Sequence, residues 1–250
     1  MNIQQDEMHI AMSADQILEQ TGGIQVTCCN LDAQAPDWDL TPSYLLISAT
    51  PGRPLTEAGR VQFGWRNDSL HARFVFCDTA IVTSASRDNE WHYEMGDTAE
   101  WFLQFNEGPE YWEFYATPNG FKSAIRWPGG SRKGLEPWCD LSGVWLETGR
   151  FEAGRHSDRF TEAASGLSGW WAEMSVAASF LLGAGGQLEQ GSGWRTLVGR
   201  YNHRQPSDER PELSCFPPLP RADFHCTDAY TSLRLGSSPS SDAGLVGRRH

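Results

Sequence analysis

Three glutamates lie where β-strands would hold them in fixed directions: Glu100, Glu113 and Glu173. Two carboxylates flanking a glycosidic bond can act as acid and as base or nucleophile, so these residues admit a glycoside hydrolase using Glu100 or Glu113 with Glu173. The same groups can instead orient sugar hydroxyls or pair with Arg200 and Lys122, because a guanidinium presents a planar fork of donors to a carboxylate. The residue types favour this polar network, with Tyr115 beside it. Asp78 and Asp97 could offer oxygens to calcium, yet no continuous Asp-rich loop surrounds them, so neither a metal nor a cofactor is expected from the residues alone. His225 has no His-x-x-x-His or Ser/His/Asp set around it, and Gly129-Gly130 and Gly183 to Gly186 lack the Lys-Ser/Thr of a phosphate loop.

The elements that must position these groups show in the period-two pattern. From Gly96 to Phe105, Trp101, Leu103 and Phe105 share one face, with Glu100, Phe102 and Gln104 opposite. From Tyr111 to Thr117, Trp112, Phe114 and Ala116 oppose Tyr111, Glu113, Tyr115 and Thr117. Asn106 to Glu110 is a turn composition, and Pro118-Asn119-Gly120 closes the second strand. One face of this hairpin is apolar throughout. The other mixes carboxylates with rings, an unusual choice for a face turned to solvent, and function is expected there.

Further strands are expected at Ile24 to Cys28, at Tyr44 to Ser48, and in the hairpin Val61 to Phe76 that turns at Asn67-Asp68-Ser69. Others are expected at Phe121 to Trp127, Trp170 to Val176, Trp194 to Tyr201 and Thr231 to Leu235, with a helical turn at Phe180 to Leu182. Met12 to Gln20 reads as a short helix capped by Ser13, and residues 131–168 as irregular chain partly extended over a sheet. Trp101, Trp112, Trp170 and Trp194 fall on core faces; Trp127, Trp138 and Trp145 have no assigned place. Strands about ten residues apart with turns between them predict an all-β chain folded as an antiparallel β-sandwich, immunoglobulin-like or jelly-roll-like. The expected organisation is a lead segment over 1–23, one sandwich domain over 24–236 and a disordered tail over 237–250.

The 250 residues carry a formal charge of −12, which argues against nucleic acid or an anionic membrane as the main partner. The chain is 39% hydrophobic and 21% charged, the balance of a globular protein, and its 11 tryptophans suit a β-rich core or a sugar-stacking surface. Six cysteines without any C-x-x-C pair predict free, mostly buried thiols. No basic and apolar leader is visible at the N-terminus, so the chain as written reads as cytoplasmic. Its oligomeric state is not legible.

The order of these features resembles the family 9 carbohydrate-binding modules and their DOMON-like relatives, over roughly residues 24–236. It runs from Phe74-Val75-Phe76-Cys77-Asp78 through Gly96-Asp97-x-x-Glu100-x-Phe102-Leu103 to Tyr111-x-Glu113-Phe114 with Pro118-Asn119-Gly120. Gly169-Trp170-x-x-Glu173, Trp194-Arg195 with Arg200-Tyr201, and Phe224-His225 before the last strand complete it. The resemblance implies a sandwich without catalytic machinery that binds a mono- or oligosaccharide between two tryptophans, carries structural calcium ions, and in most members is secreted. Trp91 stands nearest the first tryptophan, though six residues before Asp97, where the family sets it closer. Phe224 and His225 take the place of the second. By position the polar contacts fall on Glu100, Tyr115 and Arg200, and Glu113 joins them on the same hairpin face. A sugar's C–H face on Trp91 would combine apolar burial with fixed geometry; Trp91 could equally pack on the loop Arg87 to Glu90. The implied function is non-catalytic sugar binding, with the hydrolase and a non-binding scaffold domain as alternatives.

Overall fold

In the computed structural model, the described residues are 24–28, 38–66, 68–105, 108–130, 132–154, 162, 165–206 and 208–236. The helix expected at Met12 to Gln20, the lead segment 1–23, the tail 237–250 and parts of both hairpin turns lie outside them.

The chain forms two sheets packed face to face. The first contains β3 (Ile47–Ser48), β6 (Thr98–Phe105), β7 (Tyr111–Ala116), β8 (Lys122–Trp127), β11 (Gly193–Asn202), β12 (Glu212–Phe216) and β13 (Thr231–Leu235). Its order is β8-β7-β6-β11, after which β13 pairs with the first half of β11 and β12 with the second. The second contains β2 (Ser43–Leu45), β4 (Gly59–Arg66), β5 (Ser69–Cys77), β9 (Val144–Phe151) and β10 (Gly169–Ala177), in the order β9-β10-β5-β4, with β2 beyond β4. β1 (Ile24–Cys28) joins them, pairing in parallel with β13 through Ile24 to Val26 and with β4 through Thr27 and Cys28. These are the parallel pairings in an otherwise antiparallel sandwich.

The period-two reading holds in space. Trp101, Leu103, Trp112, Phe114 and Trp194 point inward and meet Phe63, Phe74, Phe76, Trp170 and Met174 from the second sheet. The short helix α1 (Ala178–Leu182) follows β10 and adds Ala178 and Leu181 to that core. Two strands escaped the sequence pattern. β9 lies in the stretch read as irregular, because as an edge strand most of its side chains are exposed or half-buried and carry no apolar alternation. β12 is five residues long and follows a polar loop.

Much of the outer face of the first sheet is covered, although Arg234 at its β13 edge is exposed. The segment between β12 and β13 folds back over that face, laying Leu219, Phe224 and Tyr230 on Phe102, Tyr111, Tyr115, Ile125 and Leu197. This second, smaller core explains why carboxylates and rings share that face: they line a covered space.

Among the described cysteines, Cys77, Cys139, Cys215 and Cys226 are free thiols, as expected. Only Cys215, in the smaller core under the covering segment, is fully buried; the other three are half-buried. No described helix is long and apolar enough to cross a membrane.

Candidate functional site

A cavity of about 410 Å³ opens between the outer face of the first sheet and the segments that cover it. Its floor is built by alternation along paired strands. Glu100 of β6 lies opposite Tyr115 of β7 on one side and Gly199 of β11 on the other, so Glu113 and Tyr201, two residues further on, share the face. Trp127 of β8 and Leu213 of β12 extend that floor. The absence of a side chain at Gly199 lets Phe224 lie directly on the sheet, since a Cβ there would stand 2.5 Å from the ring.

Two segments form the walls. Trp91 and Tyr93 come from the loop before β6, which is pinned to the β8 edge. Asn89 N–H donates to the Lys122 carbonyl at 2.9 Å, and Ser123 Oγ donates to the Glu90 carbonyl at 2.9 Å. Opposite them stand Asp223, Phe224 and His225, fixed by a bond from His225 N–H to Asp223 Oδ1 (3.1 Å) and one from Tyr230 O–H to the Phe224 carbonyl (2.9 Å). Arg132 reaches into the mouth from the loop after β8, its Nη2 donating to Asp223 at 3.1 Å. Trp138, further along that loop, packs on Trp91 with ring centres 4.9 Å apart.

The two floor carboxylates differ. Glu113 is 2% exposed and accepts from Tyr115 O–H and Trp127 Nε1–H, each at 2.8 Å. Glu100 is also 2% exposed, yet among the described residues it accepts no hydrogen bond. Burial, together with repulsion from Glu113, holds the Glu100 carboxyl well above its ordinary range. Burial likewise lifts Glu113 to about 7 against the pull of its two donors. His225 Nδ1 lies 2.8 Å from the Tyr111 hydroxyl, and Nε2 is 3.9 Å from Glu113. Burial and then Arg132 press its pKa down to about 4, so the ring is neutral at pH 7. An uncharged imidazole among Phe102, Trp127 and Tyr111 serves as one more ring of the wall.

No protein-family profile matches the sequence, and no curated protein matches it. Solved structures match the fold. A proposed carbohydrate-binding protein from Bacteroides uniformis superposes with a TM-score of 0.67 at 15% identity, over 85% of this chain and 98% of that one. A family 9 carbohydrate-binding module from Caldicellulosiruptor kristjanssonii in complex with glucose matches at TM-score 0.52 and 11% identity, over 89% and 99%. In complex with cellotriose, a module of the same family and organism matches at 0.52 and 13%, over 91% and 100%. The fold is that of a family 9 carbohydrate-binding module.

Within this family 9 fold, six of the seven residues singled out from sequence line the cavity: Trp91, Glu100, Glu113, Tyr115, Phe224 and His225. Trp91 packs against Trp138 and Tyr93 at the rim. Arg200 does not join them. It shares strand parity with Trp194, Thr196 and Val198, so it points between the sheets, where its guanidinium lies 4.7 Å from the Phe76 ring centre. There Nη2 donates to the Cys77 carbonyl, to Asp78 (3.2 Å) and to Asn202 (3.0 Å). Nor does Glu173 meet the other glutamates: it faces outward from the second sheet and pairs with Arg73 at 3.5 Å. A catalytic pair of Glu173 with Glu100 or Glu113 is therefore ruled out by the strands that carry them.

Tyr93, Trp127, Arg132, Tyr201 and Asp223 also line the cavity, with Leu213 and Ala222, and were not singled out from sequence. Tyr201 was legible: it has the parity that places a residue beside Glu100. Arg132 and Asp223 sit in loops, where no periodicity points a side chain. The calcium suggested by the family does not fit Asp78 and Asp97. Asp97 spends both oxygens on backbone N–H groups of Val82 (2.6 Å) and His203 (2.7 Å), and Asp78 faces the Arg200 guanidinium. Among the described residues no three His, Cys, Asp or Glu side chains converge on a metal site.

Proposed function

We propose that this chain binds the end of a sugar chain, or a single sugar, without covalent chemistry. The observation that carries the proposal is the covered cavity itself. Trp91, Tyr93, Tyr201 and Phe224 surround a floor of Glu100 and Glu113. Rings bury the apolar faces of a pyranose, and carboxylates accept from its hydroxyls; specific sugar sites need that combination of apolar wall and few fixed polar groups. The larger hollow of about 800 Å³, beside Glu57, Asp78 and Arg204, has no Trp, Tyr or Phe in its lining and fits this chemistry poorly. The solved modules with glucose and cellotriose support the choice of ligand class.

Hydrolysis has less support. Glu100 and Glu113 rise from adjacent strands on one face of one sheet, whereas a hydrolase sets its carboxylates on either side of the bond. Across the cavity, Asp223 is held by Arg132 and Arg221 at 3.1 Å each.

Tryptophan fluorescence titrated with neutral and charged sugars is expected to saturate with at least one of them, and Trp91→Ala to weaken that affinity by about tenfold or more, as for loss of a stacking ring. If no sugar gives a saturable change, the proposal fails. Incubation with the same panel should release no new reducing ends. Release that Glu100→Gln removes would put hydrolysis in its place.

A further inference from the structure

The charge balance of the cavity narrows the kind of sugar. Two buried carboxylates form its floor, and the one Arg or Lys lining the cavity among the described residues, Arg132, has a side chain 58% exposed at the mouth and bonded to Asp223. Glu113 is satisfied by Tyr115 and Trp127. Glu100 is not satisfied by any described group, although it is almost wholly buried and aimed into the cavity. A buried carboxylate without a partner is costly by several kcal/mol in an ordinary core, so its natural partner belongs to whatever fills the space. Tyr93, Tyr115 and Tyr201 line the same cavity. Rings and a carboxylate around one point complement a cation: the π faces attract it and the oxygens accept its N–H donors. A neutral hydroxyl donates one hydrogen bond and leaves the carboxylate charge uncompensated. An ammonium donates three and cancels it.

Building on sugar binding at this cavity, we propose that its preferred ligand is an amino sugar, with the protonated amine seated on Glu100 beside Glu113. Burial, which holds both carboxyls above their ordinary range, and the repulsion from Glu113 that adds to it at Glu100, agree with a floor that has no cation of its own among the described residues.

The test uses the whole chain and three β-1,4-linked trisaccharides that differ at one carbon: glucosamine, N-acetylglucosamine and glucose (cellotriose). Calorimetry near pH 7 is expected to show the glucosamine trimer binding about tenfold or more tighter than the other two, the scale of one charge-assisted hydrogen bond. Glu100→Gln, which keeps the shape and removes the charge, is expected to bring the trimers close to parity. Cellotriose binding as tightly as the glucosamine trimer would overturn the amine assignment while leaving sugar binding intact. Silence from all three trimers, with saturable binding of another sugar in the fluorescence panel, would do the same. Silence from every sugar would remove both proposals. Tetramethylammonium binding as tightly as the glucosamine trimer would replace an amino sugar with a bare cation.

Discussion

Two acidic clusters lie on opposite sides of the first sheet, and they are finished differently. Behind β11, Asp78, Asp97, Glu57 and Asn202 gather around Arg200, which is 0% exposed. The carboxylates there are held by the guanidinium, by backbone N–H groups and by Asn202, although Arg200 Nε and Nη1 find no acceptor among the described residues and lie against Phe76 instead. In front, Glu100 and Glu113 have rings around them and, among the described residues, no cation at the floor. The first cluster is a structural joint between the sheets, closed around a fully buried cation although Glu57 and Asp78 also border the larger hollow. The second is left incomplete, and evolved sites commonly keep such destabilising groups where a ligand finishes them.

Substitutions of opposite sign would test that contrast. The largest effect is expected at Arg200. Arg200→Met leaves Asp78 buried without its cation, which should lower stability by about 3–5 kcal/mol, the usual result of removing one partner from a buried pair. Urea denaturation should show a lower midpoint with an unchanged slope. A loss below about 1 kcal/mol would mean that Asp78 is neutral in the folded state and the joint is not ionic.

Glu100→Gln should do the reverse. Replacing an unsatisfied buried charge by a neutral amide is expected to raise stability by on the order of 1–3 kcal/mol near pH 8. The sign follows from linkage. The folded carboxyl titrates above the unfolded value of about 4.3, so the folded state holds the proton more tightly. Its contribution is fully present below the unfolded pKa and is lost as pH rises through the folded pKa. Wild-type stability should therefore fall from pH about 5 toward pH 8, and the fall should be shallower in the variant. A variant less stable than wild type at pH 8 would show that Glu100 is paired in the folded protein, and would break the contrast.

How much of this was legible can be argued from single residues. The hairpin of β6 and β7 was readable because its faces alternate strictly, and that alternation by itself placed Glu100, Glu113 and Tyr115 together. The same arithmetic should have moved attention from Arg200 to Tyr201. Trp194 was assigned to the core, and six residues along a strand return a side chain to the same face. Family position favoured Arg200; strand parity contradicted it, and parity won. Trp127 had the converse problem. Its indole is buried in a strand, but its role came from Glu113, a partner fourteen residues away across a neighbouring strand. Arg132, Trp138 and Asp223 lie in loops whose course follows from tertiary packing alone, so no local signal aimed them at the cavity. Arg132 and Trp138 hold left-handed backbone, with φ of 62° each, a conformation that neither residue type would suggest.

The smallest expected effect lies at the seam between sheet and covering segment. Gly199 has no positive φ to explain it; what it permits is contact, since Phe224 rests where its Cβ would be. Gly199→Ala must push the ring outward. Because the obstacle is a side chain that can pivot rather than backbone, the expected loss of stability is about 1 kcal/mol, the low end for overpacking. The ring it moves is a wall of the cavity, so sugar affinity should drop several-fold. The Arg200 cluster, on the far side of β11, should keep its contribution unchanged. A double-mutant cycle with Arg200→Met measures that separation: the two stability losses should add within about 0.5 kcal/mol. Strong coupling between them would mean that the two faces of β11 act as one network, and the division between a closed joint and an open site would have to be abandoned.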